Sequence, residues 1–110
     1  MDPYPHQYEL SHPVGEIRER VELKGLTGET FSTAGRVMAI RGHGRTSFLD
    51  LVDDGQRLQC QVRVDVVGGD TYAFFRRFVE RGDFVGVRGG MFYTRMGELT
   101  LQVEGLTLLS

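Results

Sequence analysis

The chain has 110 residues, 13 Lys or Arg against 15 Asp or Glu, and a formal net charge of −2. Its 40% hydrophobic and 25% charged residues are a globular mix, and its length suits one domain of the commonest size, too short for most multi-domain enzymes that bind and activate two substrates. No apolar run approaches the roughly 18 residues of a membrane span, and no signal-peptide pattern opens the chain.

One cysteine, Cys60, excludes an internal disulfide and any Cys-based zinc site within one chain, so a reducing compartment, the cytoplasm, is expected. Of the basic residues only Lys24 is a lysine; the rest are arginine. Residues 1–34 carry three basic and six acidic groups, whereas the remainder carries ten basic and nine acidic ones. An acidic front end thus precedes a body whose positive charge is concentrated in places. Fifteen glycines, spread along the chain rather than clustered, punctuate turns as an all-β domain does.

In chain order, residues 1–10, with Pro3, Tyr4, Pro5, His6 and Tyr8, read as an extended segment. A helix is predicted from Pro13 to Leu23, because Val14, Ile17 and Val21 fall on one helical face and charged residues fill the other. Phe31 to Arg41 reads as a long strand whose imperfect alternation implies either two covered faces or a bulge near Gly35. Arg45 to Val52 and Arg57 to Asp65 are two more strands, joined through Gly42-His43-Gly44 and Asp53-Asp54-Gly55. Leu49 and Leu51 oppose Phe48 and Asp50; Leu58, Cys60, Val62 and Val64 oppose Gln59, Gln61 and Arg63. Residues 70–81 read as a short helix with Asp70 as N-cap, Gly82 just past its end, and an apolar face of Phe74, Phe75 and Phe78. Two strands follow, Phe84 to Phe92 and Glu98 to Leu109, hinged at Arg95-Met96-Gly97.

A helix between the third and fourth of five strands is the layout of the OB-fold, a small Greek-key barrel. The expectation is therefore a mainly β chain: residues 1–29 form an extended segment and helix, and residues 30–110 a five-stranded barrel, as one structural unit. In such barrels the outer face of strands two and three binds oligonucleotides or oligosaccharides. Here that face would carry Phe48, Asp50, Gln59, Gln61 and Arg63, with Arg41, His43 and Arg45 beside it. A ring for stacking, guanidinium groups for phosphate and an amide for a base edge suit single-stranded nucleic acid. The alternation alone is equally compatible with Phe48 in the core and Gln59 as a solvated strand residue.

Tyr4 to Glu9, Ala34 to Phe48, Arg81 to Val87 and Gly97 to Leu101 closely resemble blocks of the N-terminal domain of class II lysyl-tRNA synthetases, in order and spacing, from about Tyr4 to Leu109. The resemblance implies an OB domain that binds the tRNA anticodon, here the uridine-rich anticodon of lysine tRNA. By position it implies that Phe48 stacks on the central anticodon base, Gln59 hydrogen-bonds that base, Arg41 lies beside it, and Glu98 contacts a flanking base. Arg45 and Arg63 are candidate phosphate contacts. Arg45 stands where the family often has lysine, and the loop Met91 to Met96 lacks an expected proline. The class II catalytic motifs are absent, so no catalytic residue, metal or cofactor is assigned to this chain. ATP and magnesium would belong to the parent enzyme's catalytic domain, which would also supply most of a homodimer interface. The isolated domain is expected to be monomeric.

Other readings carry less. Cys60 shares parity with core positions, His43 sits in a glycine turn, and His6 and His12 lack a regular ligand spacing. Gly42-His43-Gly44 precedes no helix, so it is no dinucleotide fingerprint. Arg76-Arg77 could track phosphate but reads more simply as a solvated helix face. The alternative function class is a protein-interaction or dimerisation OB module without sequence-specific RNA binding.

Overall fold

The computed structural model describes residues 8–110, with His43 described through its backbone alone. The extended reading of residues 1–10 and the Tyr4-Pro5-His6 block therefore lie mostly outside the described residues. Five strands, β1 (Thr30–His43), β2 (Thr46–Asp53), β3 (Gln56–Arg63), β4 (Phe84–Tyr93) and β5 (Leu99–Leu108), close a barrel in the order β1-β2-β3-β5-β4. β1 closes it by pairing antiparallel with β2 through its second half and with β4 through its first. β3 and β5 run parallel, with Gln59 opposite Thr100 and Gln61 opposite Gln102. The expected mainly β, five-stranded OB barrel is the architecture observed.

Local chemistry accounts for most of the elements. Helix α1 (Val14–Lys24) buries Val14, Ile17 and Val21, the stripe read from the sequence. Gly25 ends the helix at φ 76°, returning its N–H to the Val21 carbonyl at 2.7 Å. The β2–β3 hairpin turns on Asp54 (φ 50°) and Gly55 (φ 74°), both left-handed, as a two-residue turn matched to strand twist requires. Inside the barrel Leu49, Leu51, Leu58, Cys60, Val62, Leu101 and Val103 are fully buried, each large aliphatic contributing about 1.5–3 kcal/mol by leaving water. Val14 and Ile17 belong to the same buried cluster, so α1 is part of the barrel's core packing.

Several expectations are corrected. The bulge in β1 lies between Val37 and Ala39, not at Gly35; Met38 is the extra residue and is exposed, while Val37 is buried. β1 runs on to His43, leaving Gly44 and Arg45 as the turn. β3 stops at Arg63: one further rung joins the Val64 N–H to the Arg45 carbonyl at 3.0 Å, and the chain then makes a single helical turn, α2 (Val64–Val67). Helix α3 (Gly69–Phe78) is capped by Gly68, with Asp70 in its first turn rather than at the cap. It ends at Val79, whose N–H reaches the Phe75 carbonyl at 3.1 Å; Gly82 belongs to the next turn. The face α3 turns to the barrel is Tyr72, Phe75 and Val79, while Phe74 and Phe78 are exposed and pack ring to ring at 5.1 Å. The spacing i, i+3, i+7 makes the straighter stripe, and Tyr72 is anchored by a 2.9 Å hydrogen bond to Ser47 on β2.

Candidate nucleic-acid interface

A cleft of about 240 Å³ opens on the outer face of the barrel, lined by Arg41, Phe48, Gln59, Thr94, Met96 and Glu98. Residues opposite each other in a sheet share a face, and Arg41 faces Phe48 across β1–β2 while Asp50 faces Gln59 across β2–β3. The pleat thus brings Arg41, Phe48 and Gln59 to one patch from three strands, and Glu98 joins them just before β5. All four residues assigned to base contact line this single cleft.

A ring of hydrogen bonds organises it. Arg57 Nη2 donates to Glu98 Oε1 at 2.6 Å, and Arg57 Nη1 to Asp50 Oδ1 at 3.0 Å. Arg41 donates to both oxygens of Asp50, at 3.2 and 3.1 Å, and its Nη2 also donates to Gln59 Oε1. Gln59 Nε2 donates to Thr100 Oγ1 at 2.8 Å, and that hydroxyl donates to the Glu98 carbonyl at 3.0 Å. The path begins and ends on Glu98. Because a guanidinium offers only donors, the atom Gln59 turns to Arg41 must be its carbonyl oxygen, which fixes the amide orientation. The bond to Glu98 is the main cause that raises the Arg57 pKa above its ordinary value, with Asp50 adding to it against the opposing effect of burial. Helix α1 supports the ring from behind, through Arg18 Nη2 on the Arg57 carbonyl at 3.0 Å.

One placement, that of Gln59, departs from the sequence reading, while that of Phe48 follows it. Gln59 points outward but is only 9% exposed, because Arg41 and Thr100 cover it. Its amide keeps one N–H and one oxygen lone pair for a ligand. Phe48 is half-buried on the outer face and is not part of the core. Arg57, Thr100 and Thr94 carry no role in the sequence reading, and Met96 reads there as a loop residue of the hinge between the last two strands. Arg57 shares strand parity with Gln59 and could have been included on that signal; Thr100 could not, because nothing local announces the β3–β5 pairing.

The two candidate phosphate contacts lie outside the cleft. Arg63 pairs with Thr46 at the end of the β2–β3 ladder, and the Nε and Nη2 edge of its guanidinium is taken by Asp65, at 3.1 and 2.8 Å. Arg45 is exposed in the β1–β2 turn. Arg76 and Arg77 are exposed on α3, with Arg77 over the Phe78 ring at 5.5 Å. Cys60 is wholly buried, and burial pushes its thiol well up. Among the described residues no three His, Cys, Asp or Glu side chains gather as a metal site, and no helix is long and apolar enough to cross a membrane. The acidic front end collects at a separate groove of about 590 Å³, where Glu16, Glu19 and Glu22 of α1 meet Asp53 and Asp54. The α1 carboxylates are thereby kept to a different surface from the cleft, whose own acids, Asp50 and Glu98, are paired with arginine.

A closed five-stranded barrel with an aromatic, arginine and amide cleft on its outer face defines an OB-fold nucleic-acid-binding domain. The family of that description, of the tRNA anticodon type, matches residues 31–109, and the chain belongs to it. Among curated proteins it is similar over its whole length to the lysine–tRNA ligase of Sulfolobus acidocaldarius, with 45% identity, and to that of Thermotoga maritima, with 44%. The lysine–tRNA ligase of Moorella thermoacetica is 44% identical over 99% of the chain. The chain spans only 22–23% of the length of these relatives.

Proposed function

We propose that this chain recognises the uridine-rich anticodon of lysine tRNA, as the N-terminal domain of a lysine–tRNA ligase. The observation that carries the reading is the convergence of Arg41, Phe48, Gln59 and Glu98 on one cleft. Membership of the anticodon-type OB family and full-length similarity to lysine–tRNA ligases support it.

Recognition involves no covalent chemistry. A base leaves the loop stack and lies on the Phe48 ring, a contact worth about 1–3 kcal/mol. A uracil edge carries an N–H between two carbonyl oxygens. The remaining Gln59 lone pair accepts the N–H, and the remaining Gln59 N–H donates to one carbonyl, so the edge is read in register. Arg41 is held against Gln59 and supplies positive charge beside the base. Glu98 gives one carboxylate oxygen to Arg57 and keeps the other as an acceptor, favouring a flanking base that presents a donor. Arg45 contacts phosphate from the hairpin tip; Arg63, held by Asp65, contributes less. ATP and magnesium would be used, and a homodimer built, by other parts of the parent ligase, which works in the cytoplasm.

The test is titration of the chain with anticodon stem-loops that differ only at the central base, at one fixed salt concentration. Uridine should bind roughly tenfold more tightly than cytidine, whose edge leaves Gln59 with a mismatched partner. Equal affinities would overturn base recognition and leave an RNA binder without sequence specificity; no binding to either RNA would favour the protein-interaction module.

A further inference from the structure

We propose that Met96 closes over the base stacked on Phe48, so that the base is held between an aromatic ring and a thioether chain. The inference rests on the base-binding reading of the cleft and adds a residue that this reading does not use.

Met96 is 93% exposed, although it is a large apolar side chain. It is not on a loose loop. The Thr94 N–H bonds the Glu98 carbonyl at 3.0 Å, the Gly97 N–H bonds the Thr94 carbonyl at 2.8 Å, and the Glu98 N–H bonds Thr94 Oγ1 at 3.1 Å. Gly97 takes φ 89°, a conformation that glycine adopts freely and a side chain would resist, and the three hydrogen bonds hold the turn in this shape. Beyond it Glu98 is tied to Arg57. The backbone thus holds an apolar side chain in water at the rim of the cleft.

The barrel order determines what Met96 faces. β3 lies between β2 and β5, so Gln59 on β3 is the floor of the cleft. Phe48 on β2 rises on one side of that floor, and the turn carrying Met96, which leads into β5, rises on the other. A flat base with its edge on Gln59 has one face for Phe48 and the other for Met96. The thioether is flexible and polarizable and packs favourably on π-systems. Its closure removes apolar surface from water and also shields the Gln59 hydrogen bonds, which strengthen as the local dielectric falls. The other methionines within the described residues do not line the cleft: Met91 packs on the core, and Met38 is the bulge residue of β1.

The experiment is a double-mutant cycle on the 110-residue chain. Wild type, Met96→Ala, Phe48→Ala and the double variant are titrated with a stem-loop carrying uridine at the central position, and with the same RNA made abasic there. Met96→Ala should weaken uridine binding about three- to tenfold. It should have no effect on the abasic RNA, and a reduced effect in the Phe48→Ala background. A Met96→Ala loss that persists on abasic RNA, or that adds fully to Phe48→Ala, overturns the sandwich. If Phe48→Ala weakens binding and Met96→Ala does not, the sandwich alone falls. If Phe48→Ala has no effect on uridine RNA, the base-binding reading fails and the sandwich fails with it. Met96 supports no buried packing, so the variant remains folded.

Discussion

Arg57 and Glu98, 41 residues apart in sequence, meet through a 2.6 Å hydrogen bond between guanidinium and carboxylate. Arg57 also holds Asp50, which in turn holds Arg41, so one residue on the outer edge of the cleft tensions both sides of it. Arg57→Met should leave the fold nearly intact, costing about 1 kcal/mol, since the Arg57 side chain is 42% exposed and Asp50 keeps its bonds to Arg41. RNA affinity should fall nonetheless, because Glu98 is no longer held. Binding measured for Arg57→Met, Glu98→Gln and the pair should be strongly non-additive; additive losses would mean that Arg57 touches RNA itself.

Phe48→Ala should weaken binding of a uridine-containing stem-loop by roughly tenfold or more, the loss of one stacked base. Phe48 is only half-buried, so the melting temperature should move little. Titration and thermal melting of the same preparation separate the two effects.

Gln59→Glu keeps the side-chain shape and its attraction to Arg41 but removes the N–H that Thr100 and a base carbonyl accept. The variant should fold, at a cost of about 1–3 kcal/mol, because Thr100 Oγ1 loses its donor and its own proton, given to the Glu98 carbonyl, is drawn to the new carboxylate instead. Its preference for uridine over cytidine should disappear, read from the ratio of the two affinities.

Gly89 and Gly90 make a matched pair within β4. A Cβ on Gly89 would lie 1.8 Å from the Gln102 carbonyl oxygen, at the β4–β5 bulge, whereas on Gly90 nothing lies nearer than 3.8 Å. Gly89→Ala should therefore cost more than about 3 kcal/mol, since backbone must move, and Gly90→Ala less than about 1. Urea denaturation of the two variants gives the comparison.

Alkaline pH should destabilise the chain through Cys60. Its thiol is pushed up by burial, and secondarily by Asp50, so the folded protein keeps the proton at a pH where the unfolded chain, near its ordinary value of 9.0, releases it. The contribution is fully present below pH 9 and declines above it, by at most about 1.4 kcal/mol per pH unit. Tyr8, raised by burial against the opposing effect of Arg88, adds a loss of the same sign above pH 10. Cys60→Ala should remove the component that begins near pH 9, visible in urea midpoints measured between pH 8 and 10.

The two faces of β2 and the inward set of β3 are legible in the sequence, because strand side chains alternate strictly and Leu49, Leu51, Leu58, Cys60 and Val62 keep that period. The α1 stripe and the Asp54-Gly55 turn are legible for the same local reason. Where two local patterns compete, reading by period fails: α3 offers Phe74 and Phe78 as readily as Tyr72 and Val79, and only the barrel end selects between them. The bulge at Met38 was visible as broken alternation, but its position depends on where β1 changes partner from β4 to β2.

What the sequence determined by itself, then, is which side chains of each element are apolar and inward, where the chain turns, and the four candidate base contacts carried by its resemblance to lysyl-tRNA synthetases. The tertiary structure alone decided that these contacts share a cleft and are linked through Arg57, Asp50 and Thr100. The physical reason is range. Turn chemistry and periodicity act over a few neighbouring residues, whereas Gln59 meets Thr100 only because β3 and β5, separated by two helices and a strand, pair in parallel as the barrel closes.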